Sequence, residues 1–394
     1  MSDLIITNVK IISEGGTIPA GTIRITSGKI ESISQVSKEV HDAHVIDGKG
    51  ETFTLVPGFI DVHIHGSSGH DVMDSSKEAL GGIAAQLPKE GTTSFLATTM
   101  TQSEENIHQA VQTAGDYLES QPANGQAELL GIHLEGPFLS KKKAGAQPLD
   151  HIIAPSLKLF NKWQEASRNS IRLVTLAPEI EGALSFIKNV SGTGVICSLG
   201  HSDASLHEAS EAVACGASHV THLYNQMSGL HHREPGLVGA ALTHPQLMVE
   251  LIVDFIHVHP EAVKLAYQLL GRERTVLITD AMRAKCLSPG MYDLGGQDVI
   301  VKDGEARLSD GTLAGSILTL EEAAQKMKQA VGVTTEDLVQ ITSTNAAREL
   351  GIDERKGSIA VGKDADLVLL DENGRVVMTV CRGVISYDGR ERWA

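Results

Sequence analysis

Eight short apolar runs, each ending in a polar or glycine-bearing turn and then a helix-like segment, fill the middle of this 394-residue chain. They read FIDVHIHG, TSFLATTM, LLGIHLEGPF, IRLVTLAP, GVICSLGHS, ASHVTHLYN, LMVELIVDFIHV and TVLITDAM. Between them, segments such as SKEALGGIAAQLPKEG, SLHEASEAVACGA and PEAVKLAYQLLG place apolar residues at helical spacing. Parallel strands need a long crossover, usually a helix. Eight βα units in succession therefore predict an α/β fold with a closed (β/α)8 TIM barrel.

The two ends read differently. Residues 1–56 and 351–394 are rich in short strand-like runs broken by glycine turns, among them GTIRITSGKIESI and GSIAVGKDADLVLLD. They predict a small β-sandwich domain assembled from both termini, with the barrel over residues 57–350. The longest irregular stretch, LSKKKAGAQPLDHIIAPS from Leu139, follows the third strand and is expected as a loop at the barrel mouth.

Charge narrows the partners. With 33 Lys+Arg against 49 Asp+Glu, the net charge is −16, so nucleic acid and anionic membranes are disfavoured and any anionic ligand needs local cations. Cys197, Cys215, Cys286 and Cys381 are far apart and form no Cys-x-x-Cys, which suits free thiols in a reducing cytosol. The opening MSDLIITNVKIISEGG lacks a basic region followed by an apolar core, so no secretory signal is expected. No apolar run approaches the roughly 18–20 residues that span a bilayer. A cytoplasmic protein is the expectation.

In PGFIDVHIHG, His63 and His65 are one residue apart on a strand, so both point one way and Val62 and Ile64 the other. Other strands end on similar groups: Glu135 in GIHLEGPF, His201 in CSLGHS, His222 in HVTHLYN and Asp280 in LITDAM. A lone histidine at a strand end is commonly a hydrogen-bonded structural residue. Six ligand-type side chains on five strand ends favour convergence at one mouth, where barrel active sites lie. Imidazole and carboxylate suit Zn, Fe, Ni, Co or Mn, as one or two divalent ions. His133 and His219 are expected as buried supporting groups. With such a metal, the reaction class is metal-assisted hydrolysis, and Asp280 is the candidate to accept and return the proton. No Gly-x-Ser-x-Gly elbow, Walker loop or dinucleotide fingerprint competes.

PGFIDVHIHG, the strand-end His, His and Asp, and GSIAVGKDADLVLLD resemble the amidohydrolase superfamily. GIHLEGPF, HVTHLYNQMSGLHHREPGLVGAAL, ITDAMRAKCLSPGMYDLGG and DGTLAGSILTL resemble, within it, the N-acetylglucosamine-6-phosphate deacetylase family. That resemblance implies hydrolysis of the acetamide of N-acetylglucosamine 6-phosphate, in amino-sugar catabolism or cell-wall sugar recycling. It implies that Glu135, His201 and His222 bind metal, and that His63, His65 and Asp280 allow a second ion, with Glu135 bridging. It implies sugar contact by His257, phosphate contact by Asn225 and the Gln226 backbone, and a homodimer in which Arg233 reaches a neighbour's phosphate, with His232 beside it. Two positions depart from the family pattern: Phe255 stands where relatives commonly have Gly, and Gln147 where some have His. Gln147 is expected to donate to the substrate carbonyl. Lys141–Lys143 read as a solvated run. The alternative is a related metal amidohydrolase acting on N-acetylgalactosamine 6-phosphate or another N-acyl amino compound. A catalytically silent barrel would lack a ligand or a base, and every candidate is present.

Overall fold

The computed structural model describes residues 3–13, 15–35 and 44–390. Parts of the expected end domain, residues 1–2, 14, 36–43 and 391–394, lie outside the described residues.

Eight parallel strands stand side by side in chain order: β1 (Phe59–Ile64), β2 (Thr92–Thr98), β3 (Glu128–Glu135), β4 (Ile171–Leu176), β5 (Ile196–Leu199), β6 (His219–Val220), β7 (Met248–Ile252) and β8 (Thr275–Ile278). The helices that follow them are α1 (Lys77–Gln86), α2 (Glu104–Ser120), α3 (Leu157–Ala166), α4 (Ala183–Ser191), α5 (Leu206–Ala214), α6 (Gly236–Thr243), α7 (Pro260–Arg274) and α8 (Leu320–Val331). The expected alternation is thus present in full. The last seam, β1 to β8, closes just past the strand ends: Asp280 N–H donates to the His63 carbonyl at 2.8 Å, and His65 N–H to the Ala281 carbonyl at 2.9 Å.

Local chemistry explains the helices. In α2, Ile107, Ala110, Val111 and Ala114 are buried, the i, i+3, i+4, i+7 set of one face. Ser103 caps its start by accepting from Asn106 N–H. At its end Gln121 turns extended, as a residue before proline must.

The two ends of the chain form one continuous seven-stranded mixed sheet with its own apolar core, which includes Ile6, Ile11, Ile23, Leu55, Leu367 and Leu369. Strand His44–Pro57 of this sheet runs straight toward β1 through Gly58, where a Cβ would collide with the Thr93 side chain.

A second, three-stranded antiparallel sheet (Gly290–Leu294, Gln297–Lys302 and Glu305–Arg307) is inserted between β8 and α8. It goes beyond the expected alternation. Gly295 and Gly296, both at positive φ, form the tight turn that marks a hairpin. Leu294, Val299 and Val301 pack it onto Met100 and Met282 at the barrel mouth. Among the described residues no helix is long and apolar enough to cross a membrane.

A buried ion network ties barrel to end sheet. Lys356 Nζ lies 2.7 Å from Glu128 at the start of β3 and 3.3 Å from Asp364, and also pairs with Asp366. Arg355 reaches Glu128 and Asp364, each at 2.8 Å. Burial would raise the Glu128 pKa, but Arg355 and Lys356 outweigh it and hold it down at about 2. Replacing Lys356 by Met removes the buried cation shared by Glu128, Asp364 and Asp366; the expected loss is about 3–5 kcal/mol, read as a lowered midpoint in denaturant. Glu128 is held below its ordinary value of 4.5, so its contribution is complete above that pH and fades as pH falls toward about 2. In acid titration of stability, the gap between wild type and Glu128→Gln therefore narrows through this window.

Candidate active site

The six sequence candidates meet at the C-terminal mouth of the barrel, all of them buried. His63 lies on β1 and His65 just beyond it, while Glu135 ends β3. His201, His222 and Asp280 each fall two residues past β5, β6 and β8. These three have φ of 46°, 31° and 48°, a left-handed conformation that a side chain resists and that the surroundings must enforce.

The Glu135 carboxylate sits between two groups. Its Oε1 lies 3.3 Å from His201 Nε2, 3.2 Å from His222 Nε2 and 3.5 Å from His63 Nε2. Its Oε2 lies 3.3 Å from His65 Nε2. Asp280 Oδ1 is 3.4 Å from His63 Nε2 and 3.2 Å from His65 Nε2. One ligand atom from each of Glu135, His201 and His222 lies within 4.8 Å of the others, and so do those of His63, His65 and Asp280.

The tautomers follow from the far side of each ring. Nδ1 of His63 faces Glu250 at 2.9 Å, that of His65 the Thr98 carbonyl at 3.2 Å, and that of His201 the Lys143 carbonyl at 2.9 Å. All three partners are acceptors, so Nδ1 carries the hydrogen in each neutral ring and Nε2 turns its lone pair inward. His63 Nε2 is buried without a hydrogen-bond partner, and the Nε2 atoms of His201 and His222 are 3.1 Å apart. Inward lone pairs around two carboxylates call for a cation. The two carboxylates draw positive charge to this cluster, and where no ion supplies it the rings take it up: burial disfavours charge on His65, yet hydrogen bonds to Asp280 and Glu135 outweigh it and raise its pKa to about 9. Burial likewise favours a neutral Glu135, but His63, His201 and His222 hold it well below the usual carboxylate range. This buried histidine and carboxylate set suits a divalent metal.

His133 and His219 are buried behind the cluster as expected, whereas the carboxylate that joins His219 to it escaped the sequence reading. Glu250, fully buried on β7, accepts from His63 Nδ1 and, at 3.0 Å, from the His222 backbone. Its other oxygen pairs with His219 Nε2 at 3.1 Å, whose Nδ1 meets Glu349 at 2.7 Å. The one signal was a single carboxylate inside the apolar run LMVELIV. His133 packs edge-on to His63 and meets Thr175 at 2.7 Å; burial pushes its pKa down to about 3.

A cavity of about 320 Å3 opens over the cluster, lined among others by Gln147, Asn225, Gln226, His257 and Arg307. Gln147 is more constrained than expected: its amide nitrogen donates to Glu135 Oε2 at 2.8 Å and its oxygen accepts from Thr101 N–H at 2.8 Å. Asn225 directs its amide nitrogen at the His222 and Leu223 carbonyls, 3.3 and 3.2 Å away. His257 Nδ1 is held by Asp254 at 2.6 Å; burial opposes its charge, but Asp254 prevails and raises its pKa. Phe255, at φ 67°, has the Lys326 ammonium over its ring at 5.6 Å. Arg233 is exposed, outside the cavity lining, with Nη1 2.7 Å from His232 Nε2. Of the lysine run, Lys142 pairs with Asp203 at 3.0 Å, while the Lys143 backbone orients His201.

The model of the Amidohydrolase family matches residues 54–386. The chain is 46% identical over 389 residues, 98% of each chain, to an N-acetylglucosamine-6-phosphate deacetylase of Bacillus subtilis. It is 36% identical over 377 residues, 96% of this chain and 97% of the other, to an N-acetylgalactosamine-6-phosphate deacetylase of Escherichia coli O157:H7. Among solved structures, a mutant N-acetyl-D-glucosamine-6-phosphate deacetylase from Mycobacterium smegmatis in complex with N-acetyl-D-glucosamine-6-phosphate aligns with TM-score 0.91 and 29% identity, over 98% of this chain and 100% of that one. With its barrel, its strand-end cluster and these likenesses, the chain belongs to the amidohydrolase family.

Proposed function

We propose that this chain hydrolyses the acetamide of N-acetylglucosamine 6-phosphate to glucosamine 6-phosphate and acetate. The observation that carries the reading is the Glu135 carboxylate set between two histidine groups beneath an open cavity, in a chain 46% identical over 98% of its length to a deacetylase of this sugar phosphate.

Glu135, His201 and His222 would hold one divalent ion, and His63, His65 and Asp280 a second beside the same Glu135. Such an ion supplies Lewis acidity, which polarises a carbonyl and lowers the pKa of water. Asp280 takes the proton of the attacking water and delivers it to the departing amine. Burial would raise the Asp280 pKa, but His63 and His65 outweigh it and lower it. Gln147 fixes the orientation of Glu135 through its 2.8 Å hydrogen bond. His257, steadied by Asp254, offers its free edge to a sugar hydroxyl, and the remote binding energy orients the amide. Asn225 and the Gln226 backbone line the route to the phosphate. Arg233, exposed on its loop, is suited to reach the phosphate in a second copy, which makes the working form a homodimer. Free thiols at all four cysteines support a cytoplasmic location.

Asp280→Asn is expected to lower kcat by roughly 10²–10⁴-fold, with metal still bound by Glu135, His201 and His222; elemental analysis beside an acetate-release assay checks both. Dialysis against a chelator abolishes acetate release, and added divalent ions restore it. A relative named for the galacto epimer makes the epimer ratio the test of specificity: kcat/KM is expected to be higher for the gluco sugar, and a reversed ratio would assign the galacto substrate.

A further inference from the structure

We propose that Arg307, on the last strand of the inserted sheet, anchors the 6-phosphate of the substrate from within the same chain. The proposal rests on the deacetylase reading of the cavity, and it deepens that reading by naming a specificity residue.

Among the described residues lining the cavity, Arg307 is the one lysine or arginine. A phosphate dianion entering a protein of net charge −16, beside the carboxylates of Glu135 and Asp280, needs a local cation. Arg233 lies outside the cavity lining of its own chain, and the Asn225 amide hydrogens face backbone carbonyls. Arg307 is held by two contacts: Nε donates to Glu305 Oε2 at 2.6 Å and Nη1 to the Gly311 carbonyl at 2.6 Å. Nη2 makes no hydrogen bond among the described residues, so a pre-oriented guanidinium edge remains for an anion. Burial lowers and Asp254 raises the His257 pKa, and the charge of Arg307 is among those acting on it, which puts the guanidinium within electrostatic reach of the proposed sugar contact.

Arg307 also braces its hairpin, so the test must separate anchoring from bracing. Arg307→Ala is expected to raise KM for N-acetylglucosamine 6-phosphate roughly 10- to 100-fold with kcat little changed, and to leave KM for unphosphorylated N-acetylglucosamine as it was. Glu305→Ala breaks the same brace but frees the guanidinium, so it is expected to leave or lower KM for the phosphosugar. Equal KM increases for both sugars, or equal impairment by the two substitutions, would overturn the proposal. Calorimetry with inorganic phosphate needs no turnover: weaker binding by Arg307→Ala than by wild type supports the anchor, and equal binding rejects it. If wild type binds phosphate through Arg307 yet releases no acetate from the phosphosugar, the deacetylase reading fails and the anchor stands.

Discussion

Glu250 is a fully buried carboxylate on which the geometry of the mouth depends. An isolated charge there would be prohibitive; three hydrogen-bonding neighbours make it tolerable, and each is tied in place by the same contact. One oxygen fixes the ring of His63 and the backbone of His222, on opposite sides of the cluster. The other leads through His219 to Glu349, in the helical segment before the chain returns to the end sheet. Burial would keep Glu250 neutral, but His63 and His219 hold its pKa well below the ordinary range. The inward face of His63 is thereby set from behind, before any ligand arrives.

The interior of this barrel is accordingly polar where many barrels are filled by branched apolar side chains. His133, Thr175 and Thr221 form a hydrogen-bonded chain across the strands beneath the cluster, with spacings of 2.7 and 2.8 Å. Apolar packing is displaced outward, to the interface between strands and helices, where Phe95, Leu134 and Ile187 are buried. Stability and chemistry occupy different layers, and the left-handed residues His201, His222 and Asp280 sit where the two layers meet.

Much of this was legible in the chain because the relevant periods are short. Alternation in FIDVHIHG is enough to put His63 and His65 on one face, and a polar residue at the end of each apolar run marks a strand terminus. Glu250 gave only a lone charge in an apolar run, and nothing in the sequence names its partners on β1 and β6. The Lys143 carbonyl was beyond reach, since every residue has one and only the path of the loop brings this one to His201. Gln147 was read as a substrate donor because its type allows it; its position between Glu135 and Thr101 engages both ends of the amide. The inserted sheet was announced by Gly295 and Gly296, but a regular β/α rhythm left no place for it, and Arg307 was missed with it.

Among the hydrogen bonds that join the first and last strands are those made by the backbones of His63, His65, Asp280 and Ala281. Three of those residues also contribute side chains to the cluster. The cylinder is therefore zipped shut at the point where it grips its ligands, and any parting of this zip pulls the donor set asunder. An ion clasped by both flanks would act as a rivet across the join, so that loading the site and locking the scaffold become a single event.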